Sequence, residues 1–144
     1  MRIKSLSAGL LALALFSCQN TNTPKTEDES PMLVEMKTGA DPHSYAQENA
    51  VVKSLAWDAE VNFEQKQISA TATWDIETKT GAEAIYFDIF DLDIEMVLVD
   101  GAETDFSLSP VDGHLGQGLR IPISDQAKQV SITYKTGDNA RALQ

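Results

Sequence analysis

From Leu55 onward the chain alternates apolar and polar residues with a period of two. Leu55, Trp57, Ala59, Val61 and Phe63 are interleaved with Ala56, Asp58, Glu60 and Asn62. After a polar break, Ile68, Ala70, Ala72, Trp74 and Ile76 alternate with Ser69, Thr71, Thr73 and Asp75. Each row describes a strand with one dry and one wet face. The loop Glu64-Gln65-Lys66-Gln67 joins them as an antiparallel hairpin, with Phe63 expected opposite Ile68, Trp57 opposite Trp74 and Leu55 opposite Ile76. A one-residue slip would turn every apolar side chain to the wrong face, so the pattern constrains the register. Further strands are predicted at Ile85–Ile89, Leu92–Val99, Thr104–Leu108, Leu119–Ile123 and Val130–Tyr134. Asp100-Gly101 supplies a hairpin turn, Pro110 stops one strand, and Pro122, lacking an N–H, suggests an edge position. Seven short strands separated by turns, and no helical pattern, predict an all-β fold: an antiparallel sandwich or a saddle-like open barrel.

The first 40 residues follow a different pattern. Arg2 and Lys4 precede an apolar run of 11 residues, Leu6 to Phe16, which ends at Ser17 and Cys18. That is the layout of a secretory signal, and the run is too short to cross a bilayer as a helix. Leu15-Phe16-Ser17-Cys18 resembles the bacterial lipobox, in which the cysteine is lipidated and becomes the new N-terminus. Residues 1–17 are therefore expected to be a lipoprotein signal peptide, and acyl chains on Cys18 to hold the chain on a lipid membrane. Gln19, rather than an aspartate, follows the cysteine. The expected location is the cell envelope, with outer-membrane attachment favoured. Residues 18–40 carry Asn, Thr, Pro, Lys and the cluster Glu27-Asp28-Glu29, a composition that buries little and predicts a disordered tether. Met32-Leu33-Val34 interrupts that polarity. The β domain is expected to occupy residues 41–144.

Charge narrows the choice of partners. The 144 residues contain 22 acids and 11 Lys or Arg, a net charge of −11, and cleavage after Ser17 would leave −13. Such a surface repels phosphate backbones, so nucleic acid is not an expected partner. One cysteine excludes an intrachain disulfide and a zinc site built from several thiolates. Asp91, Asp93 and Glu95 alternate along a strand, and their spacing of about 7 Å is too wide for one calcium ion to span easily. They read as a solvated acidic face. Trp57 and Trp74 lie within apolar rows and are expected to form a core pair rather than a sugar platform. Gly116-Gln117-Gly118 has no following helix to cradle a phosphate and reads as a turn. His43 and His114 lack a neighbouring cysteine or acid at ligand spacing, and adjacency alone does not make His43-Ser44 a base–nucleophile pair. The residues themselves indicate no catalytic, cofactor or metal site; the one modified residue expected is Cys18.

Several stretches, in order, resemble the amino-terminal domain of M1 zinc aminopeptidases, in the branch of leukotriene hydrolase and aminopeptidase B. They begin with Asp41-Pro42-His43-Ser44-Tyr45 and the hairpin from Val52 to Glu77, where Ala70 replaces a common glycine. Asp88, Asp91-Leu92-Asp93-Ile94-Glu95 and Val99-Asp100-Gly101 follow. Leu115-Gly116-Gln117-Gly118-Leu119, Ile121-Pro122-Ile123 and the run from Tyr134 to Gln144 complete the series. The resemblance implies a saddle-shaped β domain packed on a thermolysin-like catalytic domain that hydrolyses peptides. There an HExxH motif and a distant glutamate hold zinc, and the motif's glutamate activates water. Neither HExxH nor that family's Gly-rich motif occurs in these 144 residues. The resemblance also implies substrate-facing glutamines beyond this run, of which Gln144 is not one. A truncated enzyme is the expectation, its catalytic domain the absent partner. No site residue carries over, no cofactor is expected in this chain, and the chain alone is expected to be inactive. The alternative is a stand-alone acidic lipoprotein that binds a cationic peptide or protein.

Overall fold

The computed structural model describes residues 30–138. Nine strands form two sheets, and there is no helix among the described residues. In the first sheet β1 (Met32–Leu33), β7 (Ser107–Leu108), β8 (Gln117–Pro122) and β4 (Ala84–Ile89) lie side by side in that order. The second has the order β2 (Ala50–Asn62), β3 (Gln67–Thr78), β9 (Gln129–Thr136), β5 (Leu92–Val99) and β6 (Ala102–Glu103). Neither sheet closes on itself, which is the expected open sandwich. All neighbours are antiparallel except the short β1–β7 pair.

The core lies between the inner faces. Ile85, Phe87, Ile89, Leu119 and Ile121 from one sheet meet Ala72, Trp74, Val97, Val130 and Ile132 from the other. The rings of Trp74 and Phe87 sit 4.7 Å apart at a 39° tilt. On the outer face of the second sheet, hydroxyls pair across strands: Thr71 with Thr133 at 3.0 Å and Thr73 with Ser131 at 2.8 Å. The predicted period of two is thus realised on β3 and β9 with one dry face and one hydrogen-bonded face.

The first hairpin keeps its faces but not its predicted partners. Val61 lies opposite Ile68, Trp57 opposite Ala72 and Leu55 opposite Trp74. The turn occupies Phe63 to Lys66, one residue earlier than expected, and Lys66 takes φ 52°. That displacement shifts every pair by two residues, which preserves the face of each side chain. It also removes Phe63 from the ladder and leaves it 87% exposed. The Trp57–Trp74 core pair is corrected with it. Trp74 is 5% exposed, whereas Trp57 is 54% exposed because β2 lies at the edge, beyond the cover of the other sheet.

Three other expectations change. Thr104 to Leu108 is not one strand: β6 hairpins onto β5 through Asp100-Gly101, and β7 then crosses to the other sheet. Both turn residues have positive φ, 50° and 82°, as a two-residue hairpin loop requires. Pro122 ends an interior strand, but β8 has there run past β7, so its missing N–H leaves no ladder bond unmade. Finally, ordered structure begins before Asp41. β1 pairs with β7, and Val34 donates its N–H to the Leu108 carbonyl at 2.8 Å.

Candidate functional site

Residues 36–46, which lead into β2, are tied to the first sheet by polar contacts. Asp88, on β4, accepts from Ser44 Oγ at 2.5 Å and from the Tyr45 N–H at 2.8 Å. Tyr45 is buried, and its ring lies over Gly118, the register partner of Asp88 on β8. A Cβ added at Gly118 would come within 2.8 Å of the Tyr45 ring and 2.9 Å of Met36 Sδ. The glycine is therefore required by close approach: the strap 36–45 lies directly on the sheet. Ser44 Oγ also accepts from the Ala46 N–H at 3.0 Å, and Gly39 donates to the Ser44 carbonyl at 2.9 Å. Asp88 thus fastens the outer strap to the sheet that carries half the core.

The sequence-predicted candidates are not brought together. His43 Nδ1 lies 3.1 Å from Asp41 Oδ1, while Ser44 faces Asp88, so the adjacent His and Ser have different partners. Asp41 also accepts the His43 N–H at 2.8 Å, and Asp112 accepts the His114 N–H at 2.8 Å. Both contacts are local turns in which an aspartate oxygen receives an N–H two residues on. Glu95 pairs with Lys135 across the β5–β9 ladder, and Asp91 at φ 52° belongs to the corner between sheets. Gly116 and Gly118 bracket the start of β8, and Ser109 Oγ accepts from the Gly118 N–H at 2.8 Å. Among the described residues no three His, Cys, Asp or Glu side chains are grouped so as to hold a metal ion. Cys18 lies outside the described residues.

A groove of about 550 Å³ runs beneath the strap on the outer face of the first sheet. Glu35, Lys37 and Arg120 are the charged residues of its lining, and Tyr86 and Ser107 are among the polar ones. It mixes both charges and contains no base–nucleophile pair. Sequence reasoning missed it because Tyr86 and Arg120 come together only through the β4–β8 ladder.

Two exposed carboxylates make pH-dependent ties, Asp75 across three neighbouring strands and Asp112 within a turn. Ser54 Oγ, then Gln129, hydrogen-bond to Asp75 and hold it below the usual carboxylate range. Asp112 is lowered by the backbone N–H of Leu115, then by that of His114. A depressed carboxyl favours the folded state above the ordinary aspartate value of 3.8, and that contribution is lost as pH falls through the lower folded value. Urea midpoints are therefore expected to hold level towards that value and decline below it. Asp75→Asn should make the acid decline shallower by lowering the neutral plateau, because the contribution of the ionised carboxyl is then absent at every pH.

No family model matches the chain. Leucine aminopeptidase 2 of Candida albicans is 35% identical over 86 residues, which are 58% of this chain and 14% of that protein. Leucine aminopeptidase 2-2 of Meyerozyma guilliermondii is 32% identical over 89 residues, 60% of this chain and again 14% of the relative. The chain thus matches about one seventh of the length of these curated relatives. Among solved structures, yeast LTA4 hydrolase in complex with bestatin superposes with a TM-score of 0.61. The match is 22% identical and covers 81% of this chain and 19% of that one, a likeness of fold. Similar in sequence to leucine aminopeptidases and in fold to leukotriene hydrolase, the chain resembles the amino-terminal β domain of the M1 zinc aminopeptidases.

Proposed function

We propose that this chain serves as the non-catalytic β domain of an envelope-anchored zinc aminopeptidase, an enzyme that releases N-terminal residues from peptides. The observation that carries the reading is 35% identity to a leucine aminopeptidase over 86 residues. The likeness of fold to LTA4 hydrolase agrees with it. Zinc fits poorly here. His43 and His114 occupy separate turns on two carboxylates of their own, whereas catalytic zinc needs about three protein ligands and an open position. In this reading the metal and the water it activates belong to a catalytic domain, and the present residues supply a rigid two-layer support. Its stiffness comes from the shared core and the Asp88 fastening rather than from any reacting group.

Sequencing the gene beyond the Gln144 codon tests the reading. An HExxH-coding stretch in the same or a shifted frame is expected; a stop followed by unrelated sequence counts against it. The purified 144-residue chain should release no product from aminoacyl amides above blank and should hold zinc well below one equivalent. A tight one-to-one zinc complex with chelator-sensitive turnover would overturn that expectation.

Cys18 and the residues before it suggest the anchor. Metabolic labelling with a fatty acid should mark the wild-type protein in the membrane fraction, and Cys18→Ser should lose the label entirely. Unlabelled, freely soluble wild-type protein would defeat the anchoring proposal.

A further inference from the structure

β2 runs for 13 residues, more than twice the usual strand, and borders a partner on one side only. Among the described residues no strand occupies its outer side. Alternate residues therefore turn N–H and C=O groups outward in a continuous row. Natural edges are usually blunted by proline, lysine or a bulge. Here the single bulge and the single lysine coincide at Lys53, near one end, and Lys53 is paired with Glu77. From Ser54 to Asn62 the edge carries no such device.

The two faces of this edge differ sharply. On the face turned toward the core, Leu55, Trp57 and Val61 remain about half exposed because the opposing sheet ends short of β2. On the other face Asp58 and Glu60 are exposed and make no ion pair among the described residues. Residues opposite one another in an antiparallel ladder share a face. An added strand would thus need apolar side chains beside Trp57 and Val61, and cations beside Asp58 and Glu60.

We infer that the β2 edge accepts an extended segment of alternating apolar and basic residues as an additional antiparallel strand. Main-chain hydrogen bonds would hold it, and the two faces would select its sequence. A second copy of the chain is the poorer occupant, since it would bring its own Asp58 and Glu60 to an already acidic protein of net charge −11. The inference stands apart from the aminopeptidase reading, because it uses only the geometry and charge of β2.

The test titrates the full chain with a synthetic peptide of about eight residues alternating Lys and Val, long enough to cover the bare stretch. Trp57 is the reporter, since Trp74 is already buried. A saturable one-to-one blue shift of tryptophan emission is expected. N-methylation of alternate peptide residues keeps every charge and side chain while removing outward hydrogen bonds, and should weaken binding by at least about tenfold, or 1.4 kcal/mol. Combining Asp58→Lys with Glu60→Lys should reverse the preference toward a peptide alternating Glu and Val. Equal binding of the N-methylated peptide would reduce the effect to general electrostatics and overturn the inference. So would the absence of saturation, or sedimentation showing that the free chain dimerises and that the peptide does not dissociate the dimer.

Discussion

Trp74→Ala is expected to lower stability by about 3–5 kcal/mol, whereas Trp57→Ala should cost no more than about 1.5 kcal/mol. The two tryptophans occupy equivalent positions in two alternating rows, yet their surroundings differ. Trp74 fills the space between the sheets against Phe87, and truncation there leaves a cavity that neighbouring strands cannot close. Trp57 makes one polar contact, its indole N–H donating to Tyr134 Oη at 3.0 Å, and about half of its surface is open to solvent. Since whole domains are stable by only about 5–15 kcal/mol, the first substitution takes a large fraction of the total. Urea denaturation followed by far-ultraviolet circular dichroism checks both values. Equal losses at the two positions would mean that the face of β2 is covered in solution.

The second large effect is expected at the strap. Gly118→Ala should destabilise by about 1–3 kcal/mol through overpacking, because its new methyl meets the Tyr45 ring and Met36 together. Asp88→Ala removes the acceptor of two hydrogen bonds and should cost a similar amount, about 1.5–3 kcal/mol for bonds to a charged group. Both changes act on the same seating of residues 36–45, so the double variant should lose clearly less than the sum. Hydrogen exchange at the Gly39 amide, bonded to the Ser44 carbonyl within the strap, reads whether the strap keeps its own shape once its hold on the sheet is loosened. Additive losses with unchanged protection at Gly39 would show that the two residues act separately.

Much of this architecture was legible in the amino-acid order. The alternation on β3 and β9 assigned the buried residues correctly, whereas on β5, where Ile94, Met96 and Leu98 were expected on one face, a bulge between Ile94 and Met96 buries Val97 instead and leaves Met96 exposed. Asp100-Gly101 marked its hairpin because only a pair tolerant of positive φ fits a two-residue loop. The ordered resemblance from Asp41 onward identified the relatives, although the strands themselves contain no reacting group that could have done so. A period of two states which side of a strand is apolar, but it does not state whether another layer covers that side. Leu55 and Trp57 carry the same signal as Ala72 and Trp74, and only the width of the opposing sheet separates exposed from buried. The hairpin register slipped from expectation by two residues for a related reason. Even shifts preserve both faces, so the pattern is blind to them and the turn conformation decides. Asp88 on Ser44 and Tyr45, and the ring over Gly118, join residues more than 40 positions apart through a strap whose polar composition gave no hint of docking. Sequence by itself determined the all-β class, the facing of β3 and β9, and the acidity. Tertiary structure decided which apolar face lies open and where the strap is fastened, because both depend on what each strand meets across space rather than on what it carries.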